Sequence, residues 1–145
     1  MSLPKFWTRE DYQKNLPKEK WKYDCPFCKY DSLEEKDMIL WEWNHLVVRY
    51  NKFPFLWINR HILLIPKKHL IYTWEMTKDE LLEIKDAELF IKNFYWDEHY
   101  FSFIRQTVWW KSRSLEHFHY HYLPWEIHNK YIFEMLKYND LNKNI

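Results

Sequence analysis

His117-Phe118-His119-Tyr120-His121-Tyr122-Leu123-Pro124 is the stretch that organises this 145-residue chain. Histidine alternates with aromatic residues at the two-residue period of a β-strand. A strand over 117–123 puts the three histidines on one face, about 6.6–6.8 Å apart per step, and Phe118, Tyr120 and Tyr122 on the other. Neighbouring imidazoles repel when all are protonated, so most are expected neutral near pH 7, free to act as nucleophile, base or ligand. A polar strand whose histidines merely face solvent is the plain alternative. Strict alternation of three weighs against it.

The segments around this strand read as its partners. Residues 100–107 (Tyr-Phe-Ser-Phe-Ile-Arg-Gln-Thr) form a strand, and Lys111-Ser-Arg-Ser114 a loop leading to the histidines. Thr77-Lys-Asp-Glu80 matches a capping box, and Leu81, Leu82, Ile84, Leu89, Phe90, Ile91 and Phe94 give an apolar face, so the pattern predicts a helix over 78–95. His61-Ile-Leu-Leu-Ile-Pro66 is a short apolar run ended by proline, most simply a buried strand. Residues 38–50 read as two strands around Asn44, broken by Asn51-Lys-Phe-Pro54; residues 130–138 read as a terminal helix. The expectation is an α+β fold: a mainly antiparallel sheet, one central helix and a C-terminal helix. Residues 1–23 are expected to be an irregular arm, and 24–145 a single domain.

Composition excludes several classes. Lys+Arg 22 against Asp+Glu 21 leaves a net charge of +1, so nucleic acid is not an expected partner. No apolar run approaches the roughly 20 residues of a membrane helix, and Met1 to Glu10 lack the apolar stretch of a secretory signal, so a cytoplasmic protein is expected. One number stands out: there is no glycine, against about ten expected at ordinary usage, and there are ten tryptophans. The tryptophans stand where turn glycines belong, as in Leu56-Trp57-Ile58-Asn59, Val108-Trp109-Trp110-Lys111 and Pro124-Trp125. Two readings stay open. Either the protein is simply tryptophan-rich, or a reassigned stop codon that means glycine in the source has been read as tryptophan.

Cys25-Pro26-Phe27-Cys28 has the spacing at which two thiolates chelate one tetrahedral ion, which needs two further ligands. Candidates lie among His45, His61, His69, His99, His117 and His128. A redox pair is the alternative, but no βαβ pattern accompanies it. Taken singly, His61, His69 and Ser114 read as readily as surface residues.

Taken together, these blocks resemble the histidine triad (HIT) nucleotide-binding family, in particular its zinc-knuckle-containing bacterial-type members. Cys25-Pro-Phe-Cys28 is similar to the family's knuckle. Asn51-Lys-Phe-Pro-Phe55 with Arg60-His61-Ile-Leu-Leu-Ile-Pro-Lys-Lys-His69 is similar to its strand ending in Pro-Lys-x-His, and Ser114-Leu-Glu-His117-Phe-His119-Tyr-His121 resembles its signature. The resemblance implies a homodimeric nucleotide hydrolase or nucleotidyl transferase acting at the α-phosphorus of dinucleoside polyphosphates or adenylate conjugates. It implies His119 as the nucleophile, His121 as the group that binds or protonates phosphate and leaving group, and Ser114 as a hydrogen-bond donor there. His61 would border the site. Gln106 falls where the family has an asparagine holding phosphate, and Arg113, where it has glutamine, would add a phosphate contact or face water. A structural Zn2+ would be held by Cys25, Cys28, His69 and His117. A non-catalytic nucleotide-binding module with the same zinc is the rival reading. The glycine-rich loop of the family is replaced here by Trp109-Trp110-Lys111-Ser112-Arg113-Ser114.

Overall fold

Two continuous apolar runs, Leu46-Val47-Val48 and Ile62 to Ile65, are buried on both sides because they lie inside the sheet rather than at its edge. The structure, a computed structural model, describes residues 25–55, 59–96, 98–108 and 115–125. The strands are β1 (Ile39–Glu42), β2 (Leu46–Tyr50), β3 (Ile62–Pro66), β4 (Tyr100–Arg105) and β5 (His119–Pro124), in the order β1-β2-β3-β5-β4. Every neighbouring pair is antiparallel. One helix, α1 (Lys78–Tyr95), lies between β3 and β4 in the chain. The α+β expectation holds. The N-terminal arm, the loop over 111–114 and the expected C-terminal helix lie outside the described residues.

Alternation sorts the side chains. On one face Leu46, Val48, Ile62, Leu64, Phe118 and Tyr122 pack with Ala87, Ile91 and Tyr95 of the helix. On the other, Val47, Leu63 and Ile65 pack against Phe27, Tyr30 and Ile39. Burying each large apolar side chain stabilises the fold by roughly 1.5–3 kcal/mol, so helix and Cys25–Tyr30 segment each hold one face of the sheet. The buried Arg49 guanidinium lies under that segment, paired with Glu35 at 2.5 Å and 5.3 Å from the Phe27 ring centre.

The helix starts as its sequence dictates, with Thr77 Oγ1 accepting from Glu80 N–H at 3.2 Å. The Glu80 carboxylate pairs with Lys68 at 2.7 Å. Its buried stripe is narrower than the expected apolar face: Glu80, Ala87, Ile91 and Tyr95 are buried, whereas Leu81, Leu82 and Leu89 are exposed. At 3.6 residues per turn Leu81 lies to the side of the buried stripe, and Leu82 and Leu89 lie opposite it. From the middle of the helix, Glu83 accepts from Asn44 N–H and His45 N–H at 3.0 and 2.8 Å, holding the β1–β2 turn. The helix ends at Trp96, whose φ is 53° and ψ −111°. Among the described residues it is the only one with positive φ.

One expectation needs correction. His117 does not belong to the triad strand, which begins at His119. Pairing with β4 starts at His119 opposite Arg105. One residue earlier, Phe118 N–H is bonded to Leu70 O at 2.8 Å, outside the ladder. This early departure frees His117 for a different set of partners.

Candidate functional site

The eight histidines of the sequence do not act as one cluster. Those of the site fall into two groups, joined through the backbone of His117.

The first group is Cys25, Cys28, His69 and His117, whose ligand atoms all lie within 4.8 Å of one another. Pro26 opens a tight turn in which Cys28 N–H donates to Cys25 O at 3.1 Å, so both sulfurs point the same way. His69 comes from the loop after β3 and His117 from the residues before β5. Cys28 Sγ is 3.2 Å from His69 Nδ1, and both sulfurs are 3.5 Å from His117 Nδ1. Sulfur and nitrogen ligands on one tetrahedral zinc stand about 3.5 Å apart, from bond lengths near 2.3 and 2.0–2.1 Å. The tautomers suit a cation as well. His117 Nε2–H donates to Pro66 O at 2.6 Å, leaving the Nδ1 lone pair facing the sulfurs. His69 Nε2 faces Glu116 at 3.4 Å, which does the same for its Nδ1. Burial pushes the Cys25 thiol up to about 12 and raises that of Cys28, while burial holds His117 down at about 3. Two imidazoles that turn Nδ1 toward the sulfurs and two thiols that surrender their protons to a cation form a set fit for a metal ion. The remaining described candidates are elsewhere: His45 is in the β1–β2 turn and His99 is exposed before β4, while His128 lies outside the described residues.

The second group is His61, His119 and His121, all buried. Leu63 and Phe103 flank His121 across the sheet, fixing its register. The His121 ring lies near-parallel to Phe103, 4.5 Å away at 9°, and to Phe55, 5.3 Å away at 19°, and those two rings are 6.2 Å from each other, so the three form one aromatic cluster. His119 is 4.6 Å from His121 between ring centres, and 5.1 Å from Phe27. His119 Nδ1 lies 2.9 Å from His117 O. A carbonyl only accepts, so Nδ1 carries the proton and the lone pair of neutral His119 is on Nε2. Phe55 N–H donates to His61 Nδ1 at 3.1 Å, so the His61 proton is on Nε2, which faces His121 Nδ1 at 2.8 Å. His121 therefore accepts at Nδ1 and, when neutral, carries its own proton on Nε2. Asn51 completes the relay: its Oδ1 takes Phe53 N–H at 2.9 Å, which turns its amide nitrogen toward the His61 ring at 3.3 Å.

Of the other expected site residues, Gln106 joins neither group; it is exposed, and its side-chain oxygen accepts from Thr73 N–H at 2.8 Å. Arg113 and Ser114 lie outside the described residues. The sequence reading missed Asn51, Phe55, Phe103, Phe27 and Glu116. Only Asn51 had a local signal, the turn-forming Asn-Lys-Phe-Pro; the rest are brought in by strand register or by the knuckle turn.

Sheet, helix and paired histidine groups define a class: an antiparallel α+β fold presenting buried imidazoles on the face opposite its helix. No family model and no curated protein matches the chain by sequence. Solved structures match by fold. A hypothetical protein from Leishmania major aligns at TM-score 0.57 and 18% identity, covering 70% of this chain and 72% of that one. A HIT family protein from Bacillus anthracis aligns at 0.55 and 19%, covering 70% and 73%. A HIT family hydrolase from Clostridium thermocellum aligns at 0.53 and 21%, covering 70% and 90%. The chain has the HIT fold. Among the described residues no helix is long and apolar enough to cross a membrane.

Proposed function

We propose that this chain is a nucleotide hydrolase or nucleotidyl transferase that works through a covalent nucleotidyl-histidine on His119, with a structural zinc. One observation carries the reading: the His119–His117 backbone bond leaves the His119 lone pair on Nε2, beside a His121 whose proton is on Nε2. Nε2 of His119 attacks the α-phosphorus of a dinucleoside polyphosphate or adenylate conjugate. The bond to the leaving oxygen or nitrogen breaks, the electron pair goes with it, and His121 in its imidazolium form supplies the proton from Nε2 and is left neutral. Water then attacks the nucleotidyl-histidine and gives its proton to His121, the P–N bond breaks, and the mononucleotide leaves with His119 and the acid restored; in a transferase another acceptor takes the place of water. Ring contacts with Phe103 and Phe55 hold the acid in place. His61 positions it. Gln106, whose oxygen is engaged by Thr73, keeps its amide N–H groups as phosphate donors, and Arg113 and Ser114 are assigned to the phosphate side. The likeness in fold to the HIT family hydrolase from Clostridium thermocellum supports the same reading.

Zinc at Cys25, Cys28, His69 and His117 has a full shell and no open position, so its role is structural. A homodimer is part of the proposal, supported by the exposed Leu81, Leu82 and Leu89 on α1; light scattering after size exclusion tests it. The function is tested by intact-protein mass spectrometry after rapid quenching with diadenosine polyphosphate. A nucleotide-sized addition is expected, lost in His119→Ala. Nucleotide binding without any addition in the unaltered chain points to the non-catalytic module instead.

A further inference from the structure

The aromatic residues of this protein do not behave alike. All eight described phenylalanines and all seven described tyrosines are buried or half-buried. Of the five described tryptophans, Trp41, Trp74, Trp96 and Trp125 are exposed, and only Trp43 is half-buried. Tryptophan carries the largest apolar surface of the three and is ordinarily well buried. One of the exposed four also has a backbone that a Cβ opposes. Trp96 follows α1 at φ 53°, ψ −111°, the first central position of a type II′ turn, where glycine is the residue of choice. The residue is 83% exposed, so little packing offsets the strain.

With no glycine in 145 residues and ten tryptophans, we infer that the native protein carries glycine where this sequence has tryptophan, the two having been exchanged by reading a glycine codon under the wrong code. Among the described residues, position 96 is the one at which the backbone itself asks for it. The chain purified from its source cells tests this directly. Trypsin cuts after Lys92 and Arg105, and the intervening peptide contains position 96. Glycine there, with an intact mass lower by ten such exchanges, is the expected result. Tryptophan at position 96 of the native protein overturns the inference. Recombinant Trp96→Gly adds an independent readout, with a higher melting temperature expected than for the chain as written; a lower one counts against glycine at that position.

A different observation carries a second inference, which rests on the proposed metal site. Glu116 is buried at 7% exposure and its carboxylate faces His69 Nε2, the nitrogen remote from the sulfurs, at 3.4 Å. His117 has its equivalent nitrogen held by Pro66 O. We propose that Glu116 is a positioning residue for the metal: it fixes the His69 tautomer and orients Nδ1 toward the ion. Zinc affinity measured against a competing chelator tests it in the full chain. Glu116→Gln should weaken zinc by about 10–100-fold and leave the metal-free melting temperature unchanged, with Glu116→Asp intermediate. Unchanged affinity in Glu116→Gln overturns the role of Glu116 alone. No zinc bound by the unaltered chain defeats the metal site, and this role with it.

Discussion

At the scale of the residue, proton placement is what separates the two histidines of β5. His119 and His121 are the same side chain on the same strand face, yet one has its lone pair on Nε2 and the other its proton. The difference comes from what each Nδ1 meets: a carbonyl that can only accept, or a His61 Nε2–H that donates. Removing the acid should therefore be felt in proportion to the leaving group's need for a proton. His121→Ala is expected to slow nucleotidyl transfer by about 10²–10⁴ for an amine or alkoxide leaving group and far less for a substituted phenolate. Single-turnover rates over such a series check it; equal losses across the series would remove the acid role from His121. His61→Ala should give a milder version of the same pattern, because it removes only the group that sets the His121 tautomer.

The element scale is where local sequence spoke most plainly, and where its reach ended. Thr77 before a periodic apolar run specifies the helix start, and Thr77→Ala should cost about 1 kcal/mol in urea unfolding, since Glu80 N–H loses its acceptor. The apolar runs of β2 and β3 and the proline after Ile65 were legible for a similar reason: each pattern is complete within one segment. His117 was misassigned because its departure from the strand depends on Leu70, far away in the chain. Phe55 and Phe103 escaped notice because they meet His121 only through tertiary register. The three exposed leucines of α1 show the limit of counting apolar residues, since Leu82 and Leu89 lie opposite the stripe that is buried. At the other end of the helix, the strain at Trp96 is of order 1–3 kcal/mol, and Trp96→Gly should recover part of it in the same urea titration. An unchanged midpoint would place the strain elsewhere.

For the whole molecule, the four candidate ligands bring the Cys25–Cys28 turn, which lies outside the sheet, against the ends of the neighbouring strands β3 and β5. Cys25 and Cys28 precede β1, His69 follows β3, and His117 leads into β5, with Cys25 and His117 92 residues apart in sequence. An ion held there clamps the knuckle over Val47, Leu63 and Ile65, and fixes the carbonyl on which His119 rests. Stability and chemistry are thus coupled through one residue, His117. A site saturated at 100 times its dissociation constant adds about 2.7 kcal/mol. Chelation should therefore lower the melting temperature by several degrees. Cys25→Ser should melt low from the start and no longer respond to chelator. The nucleotide adduct on His119 should form more slowly in the metal-free chain but still form, because the His119–His117 backbone bond needs no metal and only loses its anchor. If a preparation shown to hold one metal per chain melts identically with and without chelator, the clamp is not part of the fold. If its adduct vanishes altogether on chelation, the metal takes part in the reaction itself, and the assignment of a closed structural site fails.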